Sequence, residues 1–219
     1  MRTKVPQDGG RSLAEMVAAR IREQVIHGGF SPGQHLSEAE LSDSLEVSRN
    51  TLREVFRVLT KEGLLRHEPN RGVFVATPDM ATIVDLYRVR RIIQVEILEQ
   101  AFSGHPAVRK MREAVERAKE AREAGDWLVV GSADLAFHGA IVALADSPRL
   151  DAFFSHVLAE MRLAFGLLSE PELLHSPFIE LNEEILKLVE LGKRSEAASR
   201  LEKYLVNAER VVLGAFTRH

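Results

Sequence analysis

Between residues 12 and 62 apolar positions return every three to four residues in three separate runs. Over 12–27, Leu13, Val17, Ile21 and Val25 keep this spacing beside Arg20 and Gln24. Ser12, with Glu15 three residues on, has the form of a capping box, and Gly28-Gly29 stops the run. After a turn at Phe30-Ser31-Pro32-Gly33, Ser37 caps a short second helix with Glu40 at the capping-box position. Ala39, Leu41 and Leu45 supply its expected apolar face. Ser48 caps a third helix over 48–62, ended by Gly63. On it Leu52, Val55, Phe56 and Leu59 form one stripe expected to be buried, while Arg49, Arg53 and Arg57 repeat at i+4 on another face. Two short extended pieces, 64–66 and 73–75, flank Glu68-Pro69-Asn70-Arg71-Gly72, whose residue types suit a hairpin tip.

Three short helices followed by a hairpin predict a winged helix-turn-helix over residues 11–76, preceded by a disordered stretch, 1–10. Thr77-Pro78 marks a linker, 77–80. Beyond it the strand signals end, and six helical stretches follow at 79–102, 106–124, 126–145, 148–169, 178–191 and 195–216. Gly104-His105-Pro106, Gly125, Ser147-Pro148, Pro171, Pro177 and Gly192 separate them. The fold class is therefore mainly α: an N-terminal winged helix-turn-helix and, over 81–219, an antiparallel six-helix bundle.

Charge sharpens the first half of this picture. The net charge of −3 does not by itself suggest a polyanionic partner. Its distribution does: residues 48–71 hold Arg49, Arg53, Arg57, Lys61, Arg66 and Arg71 against Glu54, Glu62 and Glu68, whereas 35–47 hold four acids and no Lys or Arg. Cation concentrated on one short amphipathic helix and its wing suits a phosphate backbone and a major groove. An ordinary solvated charged face remains the alternative at this point. Composition excludes several other classes. With no Cys there is no thiolate metal site, disulfide or Cys nucleophile, and 6% aromatic residues give little for base stacking. No apolar run reaches the roughly 20 residues of a membrane helix, and 1–10 is polar, so the expected location is cytoplasmic, away from any membrane.

The bundle's inner stripes are interrupted by polar residues. Arg90 falls on the seam of Ile83, Leu86, Ile93 and Ile97; Asp134 and His138 stand one turn apart with Ile141 and Ala145; Asn182 interrupts Phe178, Ile185 and Val189; Tyr204 lies among Ala197, Leu201, Ala208 and Val211. Buried charges require partners. Either these groups converge on a small-molecule cavity, or they satisfy one another, for example Arg90 with Asp134.

Four motifs then agree in order and spacing with a known family. Ser31-Pro32-Gly33-Gln34-His35-Leu36-Ser37-Glu38, Val47-Ser48-Arg49-Asn50-Thr51-Leu52-Arg53-Glu54, Glu62-Gly63-Leu64-Leu65 and Asn70-Arg71-Gly72-Val73-Phe74-Val75 resemble the DNA-binding domain of the GntR family of bacterial regulators. Asp85-Leu86-Tyr87-Arg88-Val89-Arg90, Asp134-Leu135-Ala136-Phe137-His138 and the 185–205 stretch resemble its FadR-type ligand-binding domain (FCD), and six bundle helices are similar to the VanR subgroup. The resemblance implies a homodimeric repressor on a palindromic double-stranded operator, released by an effector. Ser48, Arg49, Asn50, Thr51 and Arg53 would meet phosphates and base edges, with Arg57 on the same arginine face, and Arg71 and Gly72 would approach the minor groove. The basic residue that relatives often carry on the second helix is Ala39 here.

Many members of that family hold a divalent metal such as zinc or nickel with an Asp, a His one turn later and two further His. Asp134 and His138 match the first pair, but register puts Asn182 and Tyr204 at the other two, which leaves an incomplete metal set. A small carboxylate effector held by Arg90, with Asp134, His138, Asn182 and Tyr204 lining the site, is the preferred occupant. His156 and His175 fall out of register and are expected on the surface or in loops. The competing enzyme reading, a helical metallohydrolase using Asp134 and His138, lacks a third ligand and a base and leaves the arginine helix without a role. A protein-docking module is the third reading; its binding would depend less on salt.

Overall fold

The structure, a computed structural model, describes residues 12–216, the side chain at position 173 excepted. The expected disorder of 1–10 lies outside them. The head comprises α1 (Leu13–Ile26), β1 (His35–Leu36), α2 (Glu38–Ser44), α3 (Arg49–Lys61), β2 (Leu65–Glu68) and β3 (Gly72–Val75). Each helix starts where its cap residue foretells. Ser12 and Glu15 exchange the two hydrogen bonds of a capping box, Ser37 accepts from Glu40 N–H, and Ser48 accepts from Thr51 N–H. The sheet is antiparallel in the order β1-β3-β2, with Leu65 opposite Val75 and His35 opposite Phe74. β1 has no counterpart in the sequence reading, because two residues are too few to show a period of two.

Ile21, Leu52, Val55, Leu59, Leu64 and Val75 fill the head's core. Two expectations fail here. Leu13 is 42% exposed, and Ala14 and Ala18 carry that face of α1 inward instead. Ala39 is exposed, while Ser42 is buried and returns its hydroxyl to the Ala39 carbonyl at 3.0 Å. In helices this short, steric fit at a crowded junction outranks the hydrophobicity of one residue.

Asp79 caps α4 (Met80–Glu99), so residues 76–79 connect the head to the bundle. α5 (Pro106–Glu123), α6 (Trp127–Ala143), α7 (Pro148–Phe165), α8 (Pro171–Glu190) and α9 (Arg194–Phe216) complete six bundle helices among the described residues. α8 departs from the expected start at 178. Pro171 opens it, where a missing N–H costs nothing, and the helix continues through Pro177. An interior proline costs about 3 kcal/mol. Pro177 faces solvent, however, and burial of Leu174, His175, Phe178 and Ile179 on the opposite face holds the turn together.

α6 is the bundle's central helix. Val130, Ala133, Asp134, Leu135, Phe137, His138, Ile141 and Val142 are buried on all its sides, so its polar residues enter the middle of the core. α7 belongs to two cores at once. Phe154, Val157, Met161, Ala164 and Phe165 pack in the bundle, whereas Ala159 and Leu163 pack with the apolar core of the head. An Arg22–Glu62 pair at 2.7 Å, with His156 Nε2 3.5 Å from Glu62, lies beside this junction.

Candidate functional site

The surface that sequence singled out in the head is outward-facing throughout. Ser48 joins its hydroxyl to that of Thr51 at 2.8 Å and starts α3, leaving Arg49 and Asn50 exposed at its first turn. Arg53 and Arg57 are 60% and 73% exposed in their side chains and are paired with Glu38 at 3.1 Å and Glu54 at 2.8 Å. Exposed pairs of this kind are worth about 0–1 kcal/mol, so a phosphate or base edge displaces the carboxylate readily. On the wing, Arg66 and Arg71 both pair with Glu68, and each guanidinium stands 5.4 Å from the Phe74 ring centre. Gly72 has a local reason for being glycine: φ is +102°, and a Cβ there would stand 2.8 Å from His35 Nε2.

Asp134, His138, Asn182 and Tyr204 converge in the bundle as their registers predict. Asp134 Oδ1 accepts from Asn182 Nδ2 and from Tyr204 OH, both at 2.8 Å. Since the Tyr204 proton is given to Asp134, Tyr204 OH accepts from His138 Nε2–H at 3.1 Å, which leaves His138 Nδ1 to accept from Gln94 Nε2 at 3.1 Å. The second Gln94 proton goes to the His138 carbonyl at 2.9 Å. A directed chain thus runs Gln94, His138, Tyr204, Asp134. Burial, assisted by the Arg90 charge, drives the His138 imidazole down to about 3, so it is neutral in this chain. Burial opposes ionisation of Asp134. The adjoining His138 ring, the Arg90 charge, the nearby His175 and the Asn182 hydrogen bond outweigh it and hold that carboxyl below its ordinary range. Burial also pushes the Tyr204 hydroxyl well up, so it remains a donor.

Arg90 is brought beside this chain but not into it. It is 1% exposed, its guanidinium lies 4.9 Å from the Tyr87 ring centre, and Nε and Nη2 find no acceptor among the described residues. The anticipated pairing of Arg90 with Asp134 is not made. Two acceptors, Gln94 Oε1 and Asn182 Oδ1, are likewise buried without a donor.

Sequence reasoning missed Tyr87, Gln94, Arg162 and His175. Gln94 follows Arg90 by one turn on the face that is actually buried, with Tyr87 and Leu98, whereas Ile93 and Ile97 are only half-buried. Extending the seam from Arg90 by i+4 finds it. His175 corrects the expectation of a surface or loop histidine: it is 4% exposed on α8, edge-on to Phe165, and burial lowers it to about 4. His156 is 32% exposed in its side chain, at the junction with the head.

The metal that the family resemblance implies does not fit these residues. Both free directions of Asp134 Oδ1 and the Nε2 of His138 are engaged by an amide and a phenol, and no cluster of three or more His, Cys, Asp or Glu suited to a metal occurs among the described residues.

Comparison with known proteins settles the class. The signature of "Bacterial regulatory proteins, gntR family" matches residues 13–75, and that of the "FCD domain" matches 85–207. The Nta operon transcriptional regulator of Aminobacter aminovorans is 31% identical over 125 residues, which are 55% of this chain and 58% of that protein. The Escherichia coli galactonate operon transcriptional repressor is 26% identical over 171 residues, 69% of this chain and 75% of its own. Several curated relatives are thus matched over little more than half their length or less. In three dimensions, a GntR transcriptional regulator from Rhodococcus sp. RHA1 superposes with a TM-score of 0.85 at 36% identity, covering 94% of this chain and 99% of that one. No helix among the described residues is long and apolar enough to cross a membrane. The chain belongs to the GntR family: it is a DNA-binding transcriptional regulator with an FCD effector-binding domain, and not an enzyme.

Proposed function

We propose that this regulator is a cytoplasmic, homodimeric repressor whose head, residues 11–76, reads a palindromic operator and whose bundle, residues 81–219, releases it on binding a small organic acid. In this reading Ser48, Arg49, Asn50, Thr51, Arg53 and Arg57 of α3 enter the major groove, an arginine reading guanine through O6 and N7. Arg71 and Gly72 of the wing reach the minor groove. Two heads presented by a two-fold dimer meet two half-sites one helical turn apart. Six bundle helices among the described residues support a VanR-like reading of the bundle.

The observation that carries the effector reading is the unmatched guanidinium of Arg90. A buried arginine with two donors unused calls for a planar anion, and a carboxylate matches it in a bidentate manner. Gln94 Oε1 and Asn182 Oδ1 offer acceptors to hydroxyl groups, so a hydroxylated carboxylate is the best match. The E. coli relative named for a galactonate operon is consistent with a sugar acid. The hydrogen bonds that join Asp134, His138 and Tyr204 hold the neighbouring side chains in place. The occupant favours a bundle arrangement in which the two reading helices are mis-spaced, and operator affinity falls by the ratio of its affinities for the two arrangements.

The test is fluorescence anisotropy with double-stranded DNA from upstream of the protein's own gene. Wild type is expected to prefer this DNA over random duplex, with steep salt dependence. Arg49→Ala is expected to lose that preference, galactonate and related hydroxy acids to weaken binding, and Arg90→Ala to bind DNA without responding to them. No preference by wild type for any such fragment at moderate ionic strength contradicts the reading of α3. A response unchanged by Arg90→Ala moves the effector elsewhere.

A further inference from the structure

Arg162 of α7 is used by none of the groups described so far, and its surroundings are unusual. It is 5% exposed, yet among the described residues no carboxylate pairs with it, and Nη1 and Nη2 share the Leu128 carbonyl, at 3.3 and 3.4 Å. A buried cation without a counter-charge is costly, and burial accordingly lowers the guanidinium from its ordinary value. Something other than stability must account for its position.

Two glycines make room for it. Gly28, in the turn after α1, has φ of +78°, and a Cβ built there would stand 2.6 Å from Arg162 Nη2 and 2.8 Å from Leu128 Cδ1. Gly131 of α6 precedes Asp134 by three residues, and its Cβ would stand 2.8 Å both from Arg162 Nη1 and from His175 Nε2. One planar group therefore touches the head at Gly28, the central helix at Leu128 and Gly131, and, through the same glycine, the His175 that faces Asp134 from α8. Its neighbours on α7, Ala159 and Leu163, are the residues the bundle contributes to the head's core.

We propose that Arg162 is the positioning residue that couples the buried polar cluster to the DNA-binding head. The coupling rests on the effector reading above only for what drives it. A shift of α6 or α8 around an occupant displaces a guanidinium that has no slack toward Gly28, and close-packed junctions of this kind change arrangement rather than deform. An anionic occupant near His175 supplies the missing counter-charge and draws Arg162 away from the head. Conversely, disturbing the head at Gly28 must disturb α6 around Asp134, because coupling is reciprocal.

Reciprocity allows a test that needs neither effector nor DNA. In the full chain, amide hydrogen exchange over residues 128–138 is compared for wild type, Gly28→Ala, Gly33→Ala and Arg162→Met. Gly33 serves as the control: its φ of +76° imposes similar strain in the same domain, but only Thr77 Oγ1, at 3.7 Å, lies near its Cβ position. Gly28→Ala, though it lies in the head, is expected to speed exchange over 128–138 by roughly five-fold or more, in the range of ordinary allosteric coupling, and Gly33→Ala to leave that segment as in wild type. Because a Cβ at Gly28 also meets Leu128 Cδ1 directly, the Gly28→Ala/Arg162→Met pair isolates the guanidinium: the effects should be far from additive, since Met withdraws the nearer of the two groups the new Cβ meets. Wild-type exchange over 128–138 in Gly28→Ala, or equal effects from Gly28→Ala and Gly33→Ala, overturns the proposal. So does additivity. Should Arg162→Met fail to fold, Arg162→Lys, which also withdraws the planar group but keeps the charge, takes its place in the pair. Failure of wild type to bind DNA would sink the operator reading and leave this exchange comparison standing.

Discussion

The head and the bundle treat arginine in opposite ways. Arg53 and Arg57 project from α3 with most of their side chains in solvent, held loosely by Glu38 and Glu54, and Leu52, Val55, Phe56 and Leu59 on the opposite face of that helix belong to the head's apolar core. In the bundle, Arg90 and Arg162 are withdrawn to 1% and 5% exposure, with no carboxylate partner among the described residues, beside a hydrogen-bonded chain that ends on Asp134. An exposed cation costs little to keep and is free to meet an anion from outside. A buried cation is costly to keep, and it is discriminating because few anions can reach it. The contrast separates a surface built for a long polyanion from an interior built for a small one.

The comparison breaks if damage to the two regions has the same signature. The largest expected effect is on stability, at Asp134. Asp134→Ala leaves Asn182 Nδ2, Tyr204 OH and the nearby Arg90 charge uncompensated, and unfolding in urea should show a loss of about 3–5 kcal/mol. Tyr204→Phe removes one donor to Asp134 and strands His138 Nε2–H, a loss of about 1–3 kcal/mol in the same measurement. Arg53→Ala should do the reverse of both. Affinity for operator DNA falls by about 1–3 kcal/mol, while the unfolding free energy stays within about 0.5 kcal/mol of wild type. An Arg53→Ala protein that loses stability and keeps its DNA affinity would erase the distinction.

The smallest effect is a pH signature. His138 and His175 titrate at about 3 and about 4 in the folded chain against 6.5 when free, so the folded state binds fewer protons. Their contribution is complete above pH 6.5 and is lost as pH falls toward 4. Glu160, raised to about 7 by burial and by Asp85, works the other way: its contribution is present below pH 4.5 and lost as pH rises through 7. Glu160→Gln should therefore steepen the rise of stability between pH 5 and 7 in thermal melts, because the opposing carboxyl contribution, which falls over that range, is removed and the histidine contribution is left unopposed. An unchanged profile would remove Glu160 from the account.

Much of this was legible in sequence where chemistry is local. Ser12, Ser37 and Ser48 cap helices because their side chains reach N–H groups three residues on. Four site residues on three helices, Asp134, His138, Asn182 and Tyr204, could be brought together on paper because each interrupts an apolar stripe on its own helix. The residues that were missed share a different property. Gln94 looked like one more polar residue on a helix half in water. His175 followed what looked like a break at Pro171 and preceded another at Pro177. Arg162 gave no sign at all, since the glycines that admit it, Gly28 and Gly131, are distant in sequence and read as a helix stop and an unremarked helix interior.

Periodicity and capping alone determined the order of elements, the arginine face of α3 and the apolar stripes, because these depend on interactions within about four residues of each other. Which face of α4 is buried, whether α8 survives Pro177, and which core receives each side of α7 were decided only by packing. Those outcomes rest on contacts between helices far apart in sequence, where the burial of several side chains outweighs the preference of any single residue.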